Sequence, residues 1–134
     1  MRDGKLIIGL FVAGMAYAVV RYIVFKGVAW EQLPIFVTNK AVGVTSVALF
    51  GVSRLVTENR RRKHLGLVSA MFAALHIMLS MVVLRPSYLD SAFLATGLMH
   101  WRAEVSMLTG SCAATLLLWL AYATLMRPIE TQTP

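Results

Sequence analysis

His76 is the residue best placed to do chemistry, because it lies in the middle of an uncharged apolar run. It follows the start of that run at Leu65 by eleven residues. At 1.5 Å per residue, this is about 17 Å along a helix, near the middle of a bilayer core about 30 Å thick. An ionisable side chain at that depth is a functional candidate by default. Imidazole is also an axial ligand of haem iron.

Small and hydroxyl-bearing residues accompany His76 on one face of the predicted helix. Ser69 and Ala73 lie seven and three residues before it, and Ser80 lies four residues after it, which is the spacing of a single helix face. The functional interpretation is axial ligation of haem by His76, with Ser69 and Ser80 as hydrogen-bond partners around the ligand. The alternative is a neutral histidine that hydrogen-bonds a neighbouring helix. The residues alone give the two interpretations equal weight.

A second axial ligand is harder to place, because His64 and His100 both fall at the ends of predicted helices. His100 is the better candidate, since it lies on the side of the membrane toward which the helix of His76 runs. A histidine beside Trp101 is nevertheless more typical of a residue at the membrane interface. Methionine is a further alternative, although membrane methionines usually serve packing. Four methionines lie in the same half of the membrane: Met78, Met81, Met99 and Met107.

Four apolar runs must position these side chains. Of 134 residues, 58% are hydrophobic and 14% are charged, against roughly 25% charged in an average soluble domain, and the mean hydropathy is +0.70. This composition excludes a water-soluble globular domain. About 20 apolar residues cross a bilayer, so the runs predict an all-α, four-helix transmembrane bundle in a single membrane domain covering residues 1–134, with helices at about 6–25, 36–56, 65–84 and 103–126.

Charged residues and prolines mark the connections between these runs. Pro34 lies in the first connection, a basic run in the second, and Pro86 opens a predicted loop over residues 86–99. A cleaved signal peptide is an alternative for the first run, because Ala16-Tyr17-Ala18 has the form that signal peptidase reads. The apolar run continues past that site to Phe25, which favours a transmembrane helix. The chain ends in a short polar tail, residues 129–134.

The positive charge predicts the orientation in the membrane. The net charge is +7, but the basic residues cluster at the ends of apolar runs and form no aromatic-interleaved groove, so no nucleic-acid partner is expected. With an even number of spans, one side carries eight basic residues and the other five, and basic loops favour the cytoplasm. Both termini and the basic loop are therefore expected to be cytoplasmic. The eight are Arg2, Lys5, Arg54, Arg60, Arg61, Arg62, Lys63 and Arg127; the five are Arg21, Lys26, Lys40, Arg85 and Arg102.

The four consecutive basic residues Arg60, Arg61, Arg62 and Lys63 form the densest charge in the chain. Their first role is to set topology, with docking of anionic lipid or of a partner's acidic surface as further interpretations. The single cysteine, Cys112, excludes an intramolecular disulfide and a cysteine-based metal site. We find no phosphate-binding loop, dinucleotide fingerprint, catalytic triad or zinc-protease motif and predict no catalytic residue. If this protein transfers electrons, another chain must supply them.

The sequence around His76 resembles the ferric-reductase-like transmembrane domain, especially the first four helices of the STEAP metalloreductases. Three stretches carry the resemblance, which covers about residues 39–126: Arg62-Lys63-His64-Leu65-Gly66-Leu67-Val68-Ser69 leading to His76, Asn39-Lys40-Ala41-Val42-Gly43, and Trp101-Arg102-Ala103-Glu104. It implies that His76 is an axial ligand of haem b toward the outer leaflet. It also implies that the basic loop faces a cytoplasmic flavoprotein donor and that the protein belongs to a bacterial inner membrane.

The chain departs from that family after its fourth helix, because the family places the opposing haem histidine on a fifth. Three accounts stay open: a partner subunit or a second copy supplies the ligand, His100 or a methionine replaces it, or the haem has been lost and the scaffold survives. The main expectation is a haem b subunit for transmembrane electron transfer, dependent on another chain for its reductase domain. The alternative is a non-catalytic accessory subunit of a larger membrane complex. A small transporter is disfavoured, since no carboxylate lies in mid-membrane.

Overall fold

Four long helices account for nearly all of the part of the chain that the structure, a computed structural model, describes: residues 2–26, 28–85, 94, 96 and 98–126. They are α1 (Arg2–Val20), α2 (Leu33–Leu55), α3 (Asn59–Val83) and α4 (Trp101–Met126). A π-helical stretch, Arg21–Lys26, prolongs α1. All four are long and apolar enough to cross a bilayer. The prediction of an all-α, four-helix membrane protein is therefore confirmed.

The helix ends differ from the predicted ones, most of all at the start of α3. This helix begins at Asn59, so the basic run predicted to lie in a loop is helical. Arginine and lysine are good helix formers, and their long side chains carry the charge away from the apolar part of the helix. α2 begins at Leu33 with Pro34 in its first turn, where the missing N–H of proline leaves no hydrogen bond unmade.

The first helix contacts the second through small residues. A Cβ on Gly14 would lie 3.1 Å from both the Ala41 carbonyl oxygen and the Thr45 Oγ1, so a larger residue would push the two helices apart by a few tenths of an ångström. Ala18, Val37 and Ala41 are buried together one turn further along. Ala18 belongs to the motif that could have been a signal-peptidase site, and here it lies inside a continuous helix and in the core.

A turn of three residues, 56–58, joins α2 to α3, so these two helices lie side by side and antiparallel. Arg61 of α3 forms an ion pair with Asp3 of α1, which places the start of α1 beside this turn. We call this end of the bundle the basic end and the opposite one the far end. The last turns of α4 lie near the start of α3, so α4 also finishes at the basic end.

The fourth helix is packed differently from the other three. None of its residues is buried against the described part of the chain. Leu117, Ala121 and Thr124, in its second half, approach α2 and α3 at the basic end, whereas residues 104–113 in its first half are all exposed. The predicted loop at 86–99, apart from residues 94, 96, 98 and 99, and the polar tail at 129–134 lie outside the described residues.

Candidate functional site

The imidazole of His76 lies against α2, the neighbouring antiparallel helix. Its Nδ1 is 2.9 Å from the main-chain oxygen of Asn39, so this nitrogen carries the proton if the imidazole is neutral and the hydrogen bond forms. Gly43, one turn further along α2, faces the ring, since a Cβ there would lie 2.9 Å from the ring Cε1. The imidazole therefore occupies the space that any larger residue at position 43 would need.

A second polar contact joins the same helices one turn further along α3. The hydroxyl of Ser80 lies 3.2 Å from the side-chain Nδ2 of Asn39 and 3.3 Å from its Oδ1, so the hydroxyl can accept from the amide and donate to it. Asn39 thus engages α3 twice, through its main chain at His76 and through its side chain at Ser80. We call His76, Asn39, Gly43 and Ser80 the polar junction.

Two serines form a third contact, two turns closer to the basic end. The Ser46 hydroxyl donates to the Ser69 carbonyl at 3.0 Å, and the Ser69 hydroxyl donates to the Ser46 carbonyl at 2.8 Å. Both side chains are buried. Hydroxyls in hydrocarbon are costly without a partner, and here each one bonds a backbone oxygen of the facing helix. Among the described residues, no buried side-chain nitrogen or oxygen lacks a hydrogen-bond partner.

The contacts around His76 leave no space for a haem between α2 and α3. Nδ1 is engaged by Asn39, and Gly43 lies so close to the ring that even a methyl group would overlap it. A macrocycle in this position would have to separate the two helices. The imidazole Nε2 makes no hydrogen bond with a described residue. Iron ligation by His76 stays a prediction, and it would have to use Nε2, which also lies close to α2, 3.1 Å from the position of a Cβ on Gly43.

Among the described residues, no hydrogen bond joins a candidate second ligand to His76. The Nδ1 of His100 accepts a hydrogen bond of 3.3 Å from the Arg102 N–H and so caps the start of α4. His64 is exposed near the basic end. Met78 and Met81 are 67% and 66% exposed on α3. Among the described residues, no three His, Cys, Asp or Glu side chains come together as a metal site.

The four basic residues of α3 have separate surroundings. Arg61 is held by Asp3, and Arg60 is exposed. Arg62 and Lys63 line a cleft of about 310 Å³ at the basic end, between α2, α3 and the last turns of α4. The four basic residues therefore do not form one continuous docking surface. One is in an ion pair, one is exposed and two line a cleft.

Comparisons with models of known protein families, with curated proteins and with solved structures found no match. The class that the fold defines is a four-helix integral membrane protein. Its site is a polar junction between two of the helices.

The residues on the α2 side of the junction were not predicted as site residues, although the stretch from Asn39 to Gly43 was one of those that carry the family resemblance. Asn39, Gly43, Ser46 and Ser53 follow one another at spacings of four, three and seven residues, which places them on one face of a helix. This stripe of small and polar residues matches the stripe of Ser69, Ala73, His76 and Ser80. A comparison of the two apolar runs for such paired stripes could have found the contact.

Proposed function

We propose that this protein is a non-catalytic membrane subunit whose fourth helix binds a transmembrane helix of another protein in a larger complex. The observation that carries the proposal is the mismatch between the polarity of α4 and its exposure. In the 18-residue apolar stretch of each span, the mean hydropathy is 1.5 for α4, close to the 1.6 of α2 and below the 2.0 of α1 and the 2.1 of α3. A helix surrounded by lipid should be the most apolar, since polar groups are costly in hydrocarbon.

Among the other three spans, α2 shows the expected relation between polarity and burial. α2 is the next least apolar span and contributes the largest buried share to the bundle, so its polar residues are covered by α1 and α3. In α4 no residue is buried against the described chain. Its threonines bond the carbonyls of their own helix, as Thr109 does with Val105 at 2.7 Å and Thr115 with Ser111 at 2.9 Å. Such bonds satisfy the hydroxyls but leave the helix surface uncovered.

An opening between α3 and α4 marks the surface that the partner helix would occupy. Ser106, Gly110 and Ala113 continue the face on which Leu117 and Ala121 approach α3, because the spacings of four, three, four and four residues keep all five on one side of the helix. The latter two line the cleft at the basic end, whereas Ser106 and Ala113 are exposed. A Cβ on Gly110 would meet nothing within 4 Å. Small residues of this kind let two membrane helices approach closely.

The orientation in the membrane belongs to the same proposal. The Asp3–Arg61 ion pair and the cleft put the start of α1 and the end of α4 at the basic end. By the preference of basic segments for the cytoplasm, this end faces inward, in a bacterial inner membrane if the resemblance to ferric reductases holds.

A haem b subunit for electron transfer is the second candidate, and the Nε2 of His76, which is without a hydrogen bond to the described residues, is the observation that favours it. It is tested on protein extracted with its native assembly intact, by a dithionite-reduced minus oxidised visible spectrum. A b-type signal in a near one-to-one ratio to the chain, lost in His76→Ala, would replace the accessory role by electron transfer. No signal at comparable yield would remove the haem candidate.

The accessory role is tested by placing leucine in the opening. Gly110→Leu adds a side chain where the described chain leaves space, so the isolated protein should fold normally while the partner helix is excluded. We expect a loss of more than tenfold in the subunit that co-purifies in stoichiometric amount from native membranes. Gly9→Leu is the matched control, because a Cβ on Gly9 of α1 also meets nothing within 4 Å.

Two results would overturn the proposal. One is a chain that runs alone when extracted from native membranes in mild detergent, with no second protein at a fixed ratio. The other is equal loss of the complex in Gly110→Leu and Gly9→Leu, which would show that position 110 has no special role.

A further inference from the structure

The cleft at the basic end combines positive charge at its mouth with apolar walls. Arg54, Arg62 and Lys63 line it together with Leu67 of α3 and Leu117 of α4. Its volume of about 310 Å³ is at the lower limit of pockets that hold small molecules, roughly 300 to 1,000 Å³. We propose that this cleft binds the headgroup and glycerol of one anionic phospholipid, with the acyl chains passing along α3 and α4.

Two cations of the cleft, Arg54 and Arg62, are held in place by contacts that leave N–H donors available to an anion. The Arg54 guanidinium carbon lies 4.9 Å from the ring centre of Phe50, which also lines the cleft, and a guanidinium stacked in this way still presents its N–H donors at its edge. The described contact of Arg62 is a 3.0 Å hydrogen bond from its Nε to the Val56 carbonyl, so its two amino groups remain for a phosphate.

Polar groups that can bind an uncharged part of a headgroup lie beside these cations. Asn59, the first residue of α3, and Thr124 of α4 both line the cleft. The start of α3 also brings its unpaired N–H groups and the positive end of its dipole to this place. Together these groups favour a phosphate over a zwitterionic headgroup, whose own cation would meet the arginines.

The position of the cleft in the bundle selects a lipid over a soluble anion. It lies where the apolar helices end and the basic residues begin, which is the level of the lipid headgroups. Basic pockets between transmembrane helices on the cytoplasmic side bind such headgroups, and each arginine or lysine near the membrane surface contributes roughly a fivefold gain in affinity for an anionic lipid. The apolar walls have no counterpart in a free phosphate ion but match the acyl chains.

The experiment measures retained lipid by native mass spectrometry of the full chain after incubation with equal amounts of phosphatidylglycerol and phosphatidylcholine. The wild type should keep one phosphatidylglycerol per chain. Arg54→Gln combined with Arg62→Gln should weaken this binding roughly 25-fold, from about fivefold for each charge. The matched control is Lys5→Gln with Arg60→Gln, which removes two exposed charges that do not line the cleft and should change binding less than twofold.

A second variant fills the cleft without changing its charge. Gly66 lines the cleft, and a Cβ there would meet nothing within 4 Å, so Gly66→Leu projects into the space and should abolish lipid retention. Gly51→Leu, at an equally open position outside the lining, should leave it unchanged. Equal retention of both lipids by the wild type, retention by Gly66→Leu, or displacement of the lipid by inorganic phosphate alone would overturn the proposal.

Discussion

The second and fourth helices have spans of similar mean hydropathy, 1.6 and 1.5, but differ in how far they are buried, with 33% and 0% of the span buried. In α2, the side chains of Asn39 and Ser46 hydrogen-bond groups of α3, and the helix is covered on two sides by α1 and α3. In α4, residues 104–113, polar and small ones among them, are all exposed. A membrane helix of low hydropathy is stable when something covers it. The difference is that α2 is covered within this chain, whereas no described residue of α4 is buried, and the proposed partner helix would supply the missing cover.

The largest effect within the chain is expected in a double-mutant cycle of Gly43 and His76. Gly43→Ala forces the added methyl group into the imidazole, and we expect a loss of about 1–3 kcal/mol in the free energy of unfolding, as for other overpacked sites. With His76→Ala in the background the clash disappears, so the same change should be neutral or slightly stabilising, because alanine is the better helix former. Denaturant titration of the purified protein in mixed micelles measures both effects.

Two glycines provide controls for this cycle. Gly51→Ala on α2 and Gly110→Ala on α4 add a methyl group where nothing lies within 4 Å, and neither should destabilise the isolated chain. Equal destabilisation by Gly43→Ala in both backgrounds would mean that the imidazole does not lie against Gly43.

The reciprocal serine pair should contribute less than the junction at Gly43. Ser69→Ala removes one of the two bonds across the buried contact and should cost about 0.6 kcal/mol, with an upper bound near 1.7, as for interhelical hydrogen bonds in other membrane proteins. Thr109→Val on α4 is the counterpart, since its hydroxyl bonds only Val105 of its own helix. Thr109→Val should change the unfolding free energy of the isolated chain by less than Ser69→Ala does. A larger change for Thr109→Val would contradict the difference inferred between α2 and α4.

The smallest effect is expected at the basic end. The ion pair between Asp3 and Arg61 is partly exposed, with side-chain exposures of 29% and 20%, and such pairs contribute at most about 1 kcal/mol in water. Asp3→Asn should lower the unfolding free energy within this limit, and the difference from the wild type should shrink at high salt. A salt-independent difference would show that the contact acts through packing instead of charge.

The sequence predicts the four spans well because a long apolar run has one main solution in a bilayer. It predicts the ends less well, as at Asn59, where charged residues that are good helix formers extend α3 beyond its apolar part. It singled out His76 but did not predict the partner of the imidazole, because Asn39 offers a main-chain oxygen, which every residue has. The close approach at Gly43 depends on how two helices are rotated relative to each other. That rotation cannot be derived from the sequence of one apolar run.

The central claim is that a helix of another protein covers the first half of α4, and a photocrosslinker in the opening tests it most directly. Ala113→Cys in a Cys112→Ala chain carries the probe on α4, and Val12→Cys in the same background carries it on α1, where Val12 is 59% exposed. In native membranes, we expect one discrete adduct with a different protein from position 113, absent in Gly110→Leu, and lipid adducts alone from position 12. Lipid adducts alone at both positions, or an adduct with a second copy of this chain, would contradict it.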